Sequence, residues 1–272
     1  MNSIVALTDF TPAADNAALY AARLAGRLGV ELILLHIYQL PVSMNDMPVL
    51  VVSADELKNN SDAGLQHAKE LLLREVPSLS IRTESRLGDL NDEVNNFCKE
   101  APVWALVMGT HHYTGLEKAL FGRTTLSVVR HCRYPVITVP ETFSDAAVRK
   151  VVFATDLEPI EPAVAEQITG IVRQLGAGLE IVHVGVDEEE MAPEAFLQSF
   201  QSLRPAYHSV RHHNVTKGLQ DYIQTTGADL VISLPRQHSL LETFLFKVHT
   251  KDFVDKLHVP LLFIHTPHTP TP

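Results

Sequence analysis

The sequence predicts an α/β protein built from two tandem, doubly wound domains, each with a five-stranded parallel sheet. The chain repeats itself. Ile4-Val5-Ala6-Leu7-Thr8-Asp9 returns as Val151-Val152-Phe153-Ala154-Thr155-Asp156, 147 positions later, and the same shift carries His36 onto His183. Further on, Tyr134-Pro135-Val136-Ile137 returns as Val259-Pro260-Leu261-Leu262 at a shift of 125. In both copies, short apolar runs alternate with stretches of helical period, the pattern of parallel βαβ units with helices on both faces.

In the first copy, Ile4–Thr8 reads as a buried strand and Thr11-Pro12 as its punctuation, with Thr11 or Asp15 capping the next helix. Ala17, Ala18, Ala21, Leu24, Ala25 and Leu28 form one apolar stripe, and Gly29 ends that helix. Glu31–Tyr38 follows as a strand, 39–53 as a long loop, and Ser53–Glu75 as a helix with Ser53 and Glu56 in capping-box spacing. Then come a strand at Leu79–Ser85, a Gly88-Asp89 turn and a helix at Leu90–Glu100. A strand at Val103–Met108, a loop at Gly109–Gly122, a helix at Thr124–His131 and a strand at Tyr134–Val139 complete the copy.

Pro140–Arg149 is the linker, and the domains are expected over residues 1–141 and 148–272. The second copy repeats the order. Its strands are Lys150–Thr155, Leu179–Val184, Ala206–His212, Leu230–Leu234 and Pro260–His265. Its helices are Glu161–Leu175, Glu194–Leu203, Val215–Thr225 and Lys247–Leu257.

Two domains fit 272 residues, and 46% hydrophobic residues suffice for two cores. A net charge of −10 argues against generic nucleic-acid or anionic-membrane binding, which rely on Lys and Arg to neutralise phosphate. No run of 18 apolar residues suggests a membrane span, and no basic segment precedes an apolar one at the N-terminus. Cys98 and Cys132 lack CxxC spacing and read as reduced thiols. A cytoplasmic location is expected.

Ligands of open parallel sheets sit beyond the carboxyl ends of the strands. Asp9 falls there. It either holds an adenine amino group or ribose hydroxyl, or caps the turn before Pro12. Gly109 follows a strand, where a glycine lets backbone N–H groups approach an anion. Gly122 precedes a helix, whose N-terminus favours phosphate. Arg123, Thr124 and Thr125 can add contacts.

These residues carry a resemblance. The strand-end Asp, the Met-Gly-Thr-His run at 108–111 and the Arg-His-Cys-Arg-Tyr-Pro-Val-Ile run at 130–137 resemble the universal stress protein family, over both halves. Nucleotide-binding members carry Gly-x-x-Gly, nine residues, then Gly-Ser/Thr. The resemblance implies an adenine nucleotide, ATP or AMP, held by Asp9, Phe10, Gly109, His111, His112, Gly122, Arg123 and Thr124.

This chain departs from that pattern. His112 stands at the second glycine, and Arg123 at the Ser/Thr. In the second copy Gly109 becomes Leu234, Thr110 becomes Pro235, His112 becomes Gln237, Gly122 becomes Lys247 and Arg123 becomes Val248, so no loop glycine remains. Only the first half is expected to hold a nucleotide. The second half is expected to pack against it, or to offer a different pocket using Arg236, Lys247 and His249.

No metal site is predicted. Adjacent histidines on a strand point to opposite faces, although His208 and His212 share one. His36 and His183 read as core or cleft-edge histidines with backbone partners. No nucleophile motif, Walker loop or zinc motif stands out, so at most slow ATP hydrolysis is expected. The expected function is a nucleotide-sensing stress regulator. The alternatives are a protein-interaction module or a binder of another small ligand in the second cleft. The resemblance also implies a pseudo-dimer joined through Pro135–Val139 and Pro260–Ile264, with a further homodimer left open.

Overall fold

The computed structural model describes residues 2–40, 53–110, 123–143, 145–186, 191–235 and 258–265. The first half begins with β1 (Ser3–Leu7), buried along its whole length. The Thr11 hydroxyl accepts the Ala14 N–H at 3.4 Å to open α1 (Pro12–Leu28), so Thr11 and not Asp15 is the cap. Pro12 suits the first turn, where its missing N–H has no partner to lose. Gly29 closes α1 at φ 65°, a left-handed angle that costs glycine little.

After β2 (Leu32–Tyr38), the Ser53 hydroxyl accepts the Glu56 N–H at 3.1 Å to start α2 (Ala54–Glu75). After β3 (Ile81–Leu87), the Asp89 carboxylate accepts the N–H groups of Asn91 and Asp92 to start α3 (Leu90–Glu100). β4 (Val103–Thr110), α4 (Arg123–His131) and β5 (Val136–Pro140) complete this half.

The second half runs β6 (Lys150–Thr155), α5 (Pro162–Leu175), β7 (Gly178–Gly185), α6 (Glu194–Gln198), β8 (Ala206–Arg211), α7 (Val215–Thr226), β9 (Leu230–Ser233) and β10 (Leu261–Phe263). The helix expected over 194–203 is broken into α6 and a 3-10 turn at Gln201–Leu203. Two local features accompany the break. The Ser199 hydroxyl donates back to the Ala195 carbonyl, and Phe200 turns fully inward against Phe153, ring centroids 5.7 Å apart. The helix expected over 247–257 lies outside the described residues.

All ten strands form one sheet, in the order β3-β2-β1-β4-β5-β10-β9-β6-β7-β8. Read from the centre outward, each half presents its strands in the same sequence, 5-4-1-2-3. Every pairing within a half is parallel. The central pair β5–β10 is antiparallel, with Leu262 opposite Ile137. A palindromic strand order around an antiparallel pair is a pseudo-twofold arrangement. The halves therefore share two apolar layers, one on each face, and each layer contains residues of both halves.

The join is also bound by polar contacts. Trp104 on β4 donates its indole N–H to Gln174 on α5. At the entry to the second half, the Asp229 carboxylate accepts the N–H groups of Arg149 (2.8 Å) and Lys150 (2.9 Å), fixing the end of the linker. Half-buried Asn16 on α1 donates to the carbonyls of Pro140 (3.0 Å) and Phe143 (2.9 Å), fastening the linker to the first helix. Asn16→Ala leaves both carbonyls without that donor and is expected to cost about 1–2 kcal/mol, measured by urea denaturation. An unchanged midpoint would mean water replaces the amide without loss.

Candidate functional site

The Thr-Asp ending of the first strand has a structural task in each copy. The Thr8 hydroxyl accepts the Phe10 N–H at 3.0 Å, and the Thr155 hydroxyl accepts the Leu157 N–H at 3.1 Å. Those contacts hold Phe10 and Leu157 at φ 63°, an unfavourable angle for residues other than glycine. The aspartate makes the next contact. Asp9 Oδ1 accepts from the Thr11 N–H (3.1 Å) and hydroxyl (2.6 Å), and Asp156 Oδ1 accepts from the Glu158 N–H (3.2 Å). The chain is thereby turned from the sheet toward the helix. Of the two readings of Asp9, the turn cap is on view.

His36 and His183 match as well. Each presents Nδ1 to the carbonyl of its strand-end threonine, at 2.7 Å to Thr8 and 3.0 Å to Thr155. The carbonyl can only accept, so Nδ1 carries the proton.

Around this shared frame the copies diverge. In the first, Phe10 is 37% exposed and lies over His36 at 4.5 Å between ring centroids, with Tyr38 stacked beyond at 6.4 Å. The far edge of the Phe10 ring presses on Gly64 of α2, where an added Cβ would lie 2.8 Å from it. In the second, Leu157 replaces the phenylalanine and is buried.

Gly109 behaves differently from expectation. It belongs to β4, paired with Val139, and is not the first residue of a loop. A Cβ at Gly109 would stand 2.3 Å from the Ala13 carbonyl oxygen and 2.5 Å from its carbon. The start of α1 lies directly on this glycine. Thr125 on α4 donates its hydroxyl to the Gly109 carbonyl at 3.3 Å, tying the two elements together.

The second copy has no such glycine, and its helix starts differently. Leu234 stands at the repeat position, buried in the same apolar layer as Leu157. α1 has 17 residues and α5 has 14, although Gly29 and Gly176 end them at equivalent positions with φ 65°. The missing turn is Pro159–Glu161, at the end that would meet Leu234, and α5 has no side-chain cap. The second cleft, lined by Thr155, Asp156, His183, Val215 and Leu219 among others, has a cavity of about 20 Å³. That is room for about one water.

Of the expected site residues, Asp9, Phe10 and Gly109 meet at the carboxyl edge of β1 and β4, around the start of α1. Thr124 is exposed on the first turn of α4, and Arg123 is its first residue. His111, His112 and Gly122 lie outside the described residues, as do Arg236, Gln237, Lys247, Val248 and His249 of the second copy. Burial first, and then the charge of Asp9, raise the Asp15 carboxyl above its ordinary range, while His67 opposes them. The start of α1 is thus carboxylate-rich. Among the described residues, no group of three His, Cys, Asp or Glu side chains is placed to hold a metal. His212 Nδ1 accepts the Asn214 N–H at 2.9 Å, and His208 packs on Tyr222. The aromatic stack on Phe10 and the packing at Gly109 were missed from sequence. The left-handed angle at Phe10 had a signal there, the repeated Thr-Asp that also sets Leu157 at φ 63°.

Fold and site define a duplicated doubly wound α/β protein whose two strand-end regions, alike in frame, differ among the described residues. A sequence model of the Universal stress protein family matches residues 1–140. The chain belongs to the universal stress protein family. In fold it is similar to a universal stress protein from Archaeoglobus fulgidus DSM 4304, with 17% identity, a TM-score of 0.67, and 97% of this chain and 98% of that chain covered. It is also similar to a putative universal stress protein from Pseudomonas aeruginosa UCBPP-PA14, with 14% identity, a TM-score of 0.59, and 97% and 93% covered. A protein of unknown function from Pseudomonas aeruginosa PAO1 gives 14% identity, a TM-score of 0.58, and 97% and 92% covered. No curated protein matches the chain. Among the described residues, no helix is long and apolar enough to cross a membrane.

Proposed function

We propose that this protein is a cytoplasmic regulator of the stress response that binds an adenine nucleotide, ATP or AMP, in its first half only. The observation that carries this reading is the divergence of the two clefts around one shared frame. The first keeps an exposed carboxylate at Asp9, an exposed ring at Phe10 and a full first turn of α1. The second buries Leu157, fills the glycine position with Leu234 and loses that turn. Asp9 and Phe10 would meet the base or ribose. Phosphate would fall to the segment from Gly109 to Thr124, with His111, His112, Gly122 and Arg123. Residues 1–141 would be the binding domain and 148–272 its brace.

A thermal-shift titration with ATP, ADP and AMP tests the reading. At a hundred times the dissociation constant, a bound nucleotide stabilises by about 2.7 kcal/mol. Arg123→Ala is expected to weaken binding about tenfold or more, the usual effect of losing one charged hydrogen bond. No stabilisation by any of the three at millimolar concentration would overturn the proposal. That outcome would favour a protein-interaction module, a reading to which the packing duty of Gly109 lends support, because it explains the glycine without a ligand.

A further inference from the structure

The chain has two cysteines, 34 positions apart, and they meet. Cys98 ends the apolar face of α3 and Cys132 follows α4. Both are buried in one apolar layer, close enough for each thiol to act on the other's titration. The helices that present them are held in place by other contacts. Asn91 donates to the Ser127 hydroxyl at 2.8 Å, and Asn95 to the His131 carbonyl at 3.2 Å. The Arg133 N–H donates back to Asn95 Oδ1 at 3.4 Å. Packing alone does not call for sulfur here. At the repeat positions of the second half the sequence has Ile223 and Leu257, ordinary apolar residues.

We propose that Cys98 and Cys132 are a dithiol site, closed reversibly to a disulfide by hydrogen peroxide or a small organic peroxide. The closed form ties α3 to α4 in the first half. The two sulfurs have different roles. Interaction with Cys98 holds the Cys132 thiol below its ordinary range. The Tyr134 N–H, 3.4 Å from the sulfur, adds to this, and burial opposes it. Interaction with Cys132 and burial push the Cys98 thiol up. Cys132 also lies at the end of α4, between exposed Arg133 and the donating Tyr134 N–H, whereas Cys98 faces inward from α3, so Cys132 is assigned as the nucleophile and Cys98 as the resolving thiol.

The Cys132 thiolate attacks one peroxide oxygen. An S–O bond forms, the O–O bond breaks, and the departing hydroxide takes a proton to become water. Cys98 then attacks the Cys132 sulfur of the sulfenic acid. The S–S bond forms, the S–O bond breaks, and the hydroxyl leaves with the Cys98 proton as a second water. The two thiols lose two electrons, and hydrogen peroxide is reduced to two waters, or an organic hydroperoxide to an alcohol and one water. Burial makes the reaction depend on access through the end of α4, where exposed Arg133 adjoins Cys132. Burial also shields the product from reductants. None of this depends on nucleotide binding.

The test treats the purified full chain, folded and fully reduced, with hydrogen peroxide, quenches with a thiol alkylator, and maps peptides without reduction. The expected result is one cross-linked peptide joining residues 98 and 132, restored to free thiols by dithiothreitol. Cys98→Ser is expected to leave a Cys132 sulfenic acid that a dimedone probe captures, and Cys132→Ser to leave Cys98 unlabelled. Two results would overturn the proposal. Both thiols could stay alkylatable after peroxide. Alternatively, oxidation could yield only intermolecular bonds or higher acids with no link between 98 and 132.

Discussion

Replacing Gly109 with alanine is expected to destabilise the protein by about 1–3 kcal/mol, the range found when a methyl group is forced into a packed interior. The added carbon would stand 2.3 Å from the Ala13 carbonyl oxygen and 3.0 Å from the Ala14 nitrogen. All the atoms it meets are backbone, so no side chain can rotate away. The start of α1 has to move; in the second half, where Leu234 stands at the repeat position, α5 begins three residues later, at Pro162. Urea denaturation of Gly109→Ala should show the loss, and hydrogen exchange should show the amides at Asp15 and Asn16, which bond back to the first turn, less protected. Wild-type values for both would mean that α1 tolerates the methyl group. The expectation also limits what the variant says about ligands. Impaired nucleotide binding in Gly109→Ala would follow from a moved helix as well as from a lost phosphate contact, which is why Arg123→Ala is the better probe of the site.

Leu262→Asp is expected to cost more than about 4 kcal/mol and to separate the two halves. Leu262 is fully buried in the middle of β10, opposite Ile137 of β5 and beside Ile232 of β9. A carboxylate there has no cation or spare donor among the described neighbours, and an unpaired buried charge is among the few single changes with so large an effect. The one tryptophan, Trp104, reports the separation, since its indole is bound to Gln174 across the join. Its fluorescence should change at lower urea than the helical circular dichroism does. A single coincident transition at the wild-type midpoint would contradict the expectation.

Much of the fold is legible in the sequence. The two shifts placed both sets of strands, because buried parallel strands read as uninterrupted apolar runs. Gly29, Ser53 and Asp89 marked helix ends, because capping is local chemistry between neighbours in sequence. The helix broken at Ser199 was misread for the converse reason: the pull of Phe200 toward Phe153 comes from a distant residue. The candidate site was legible in part. Asp9 was found as a strand-end acceptor, and its bonds to Thr11 are local enough to have been foreseen as one of two readings. The stack of Phe10 on His36 was not foreseeable, because it requires β1 and β2 to lie side by side.

By itself, the sequence determined that this protein is a tandem α/β chain, that its second loop has no glycine, and that its Thr-Asp turns recur. These are matters of periodicity and of residues within a few positions of one another. Only the tertiary structure decided that Gly109 is pressed against Ala13, that Cys98 meets Cys132, and that the expected contact of the two fifth strands is an antiparallel β5–β10 pair continuing one sheet. The pairs of residues involved lie roughly 34 to 125 positions apart. Which of them touch is set by close packing of whole elements, a property no local stretch of sequence contains.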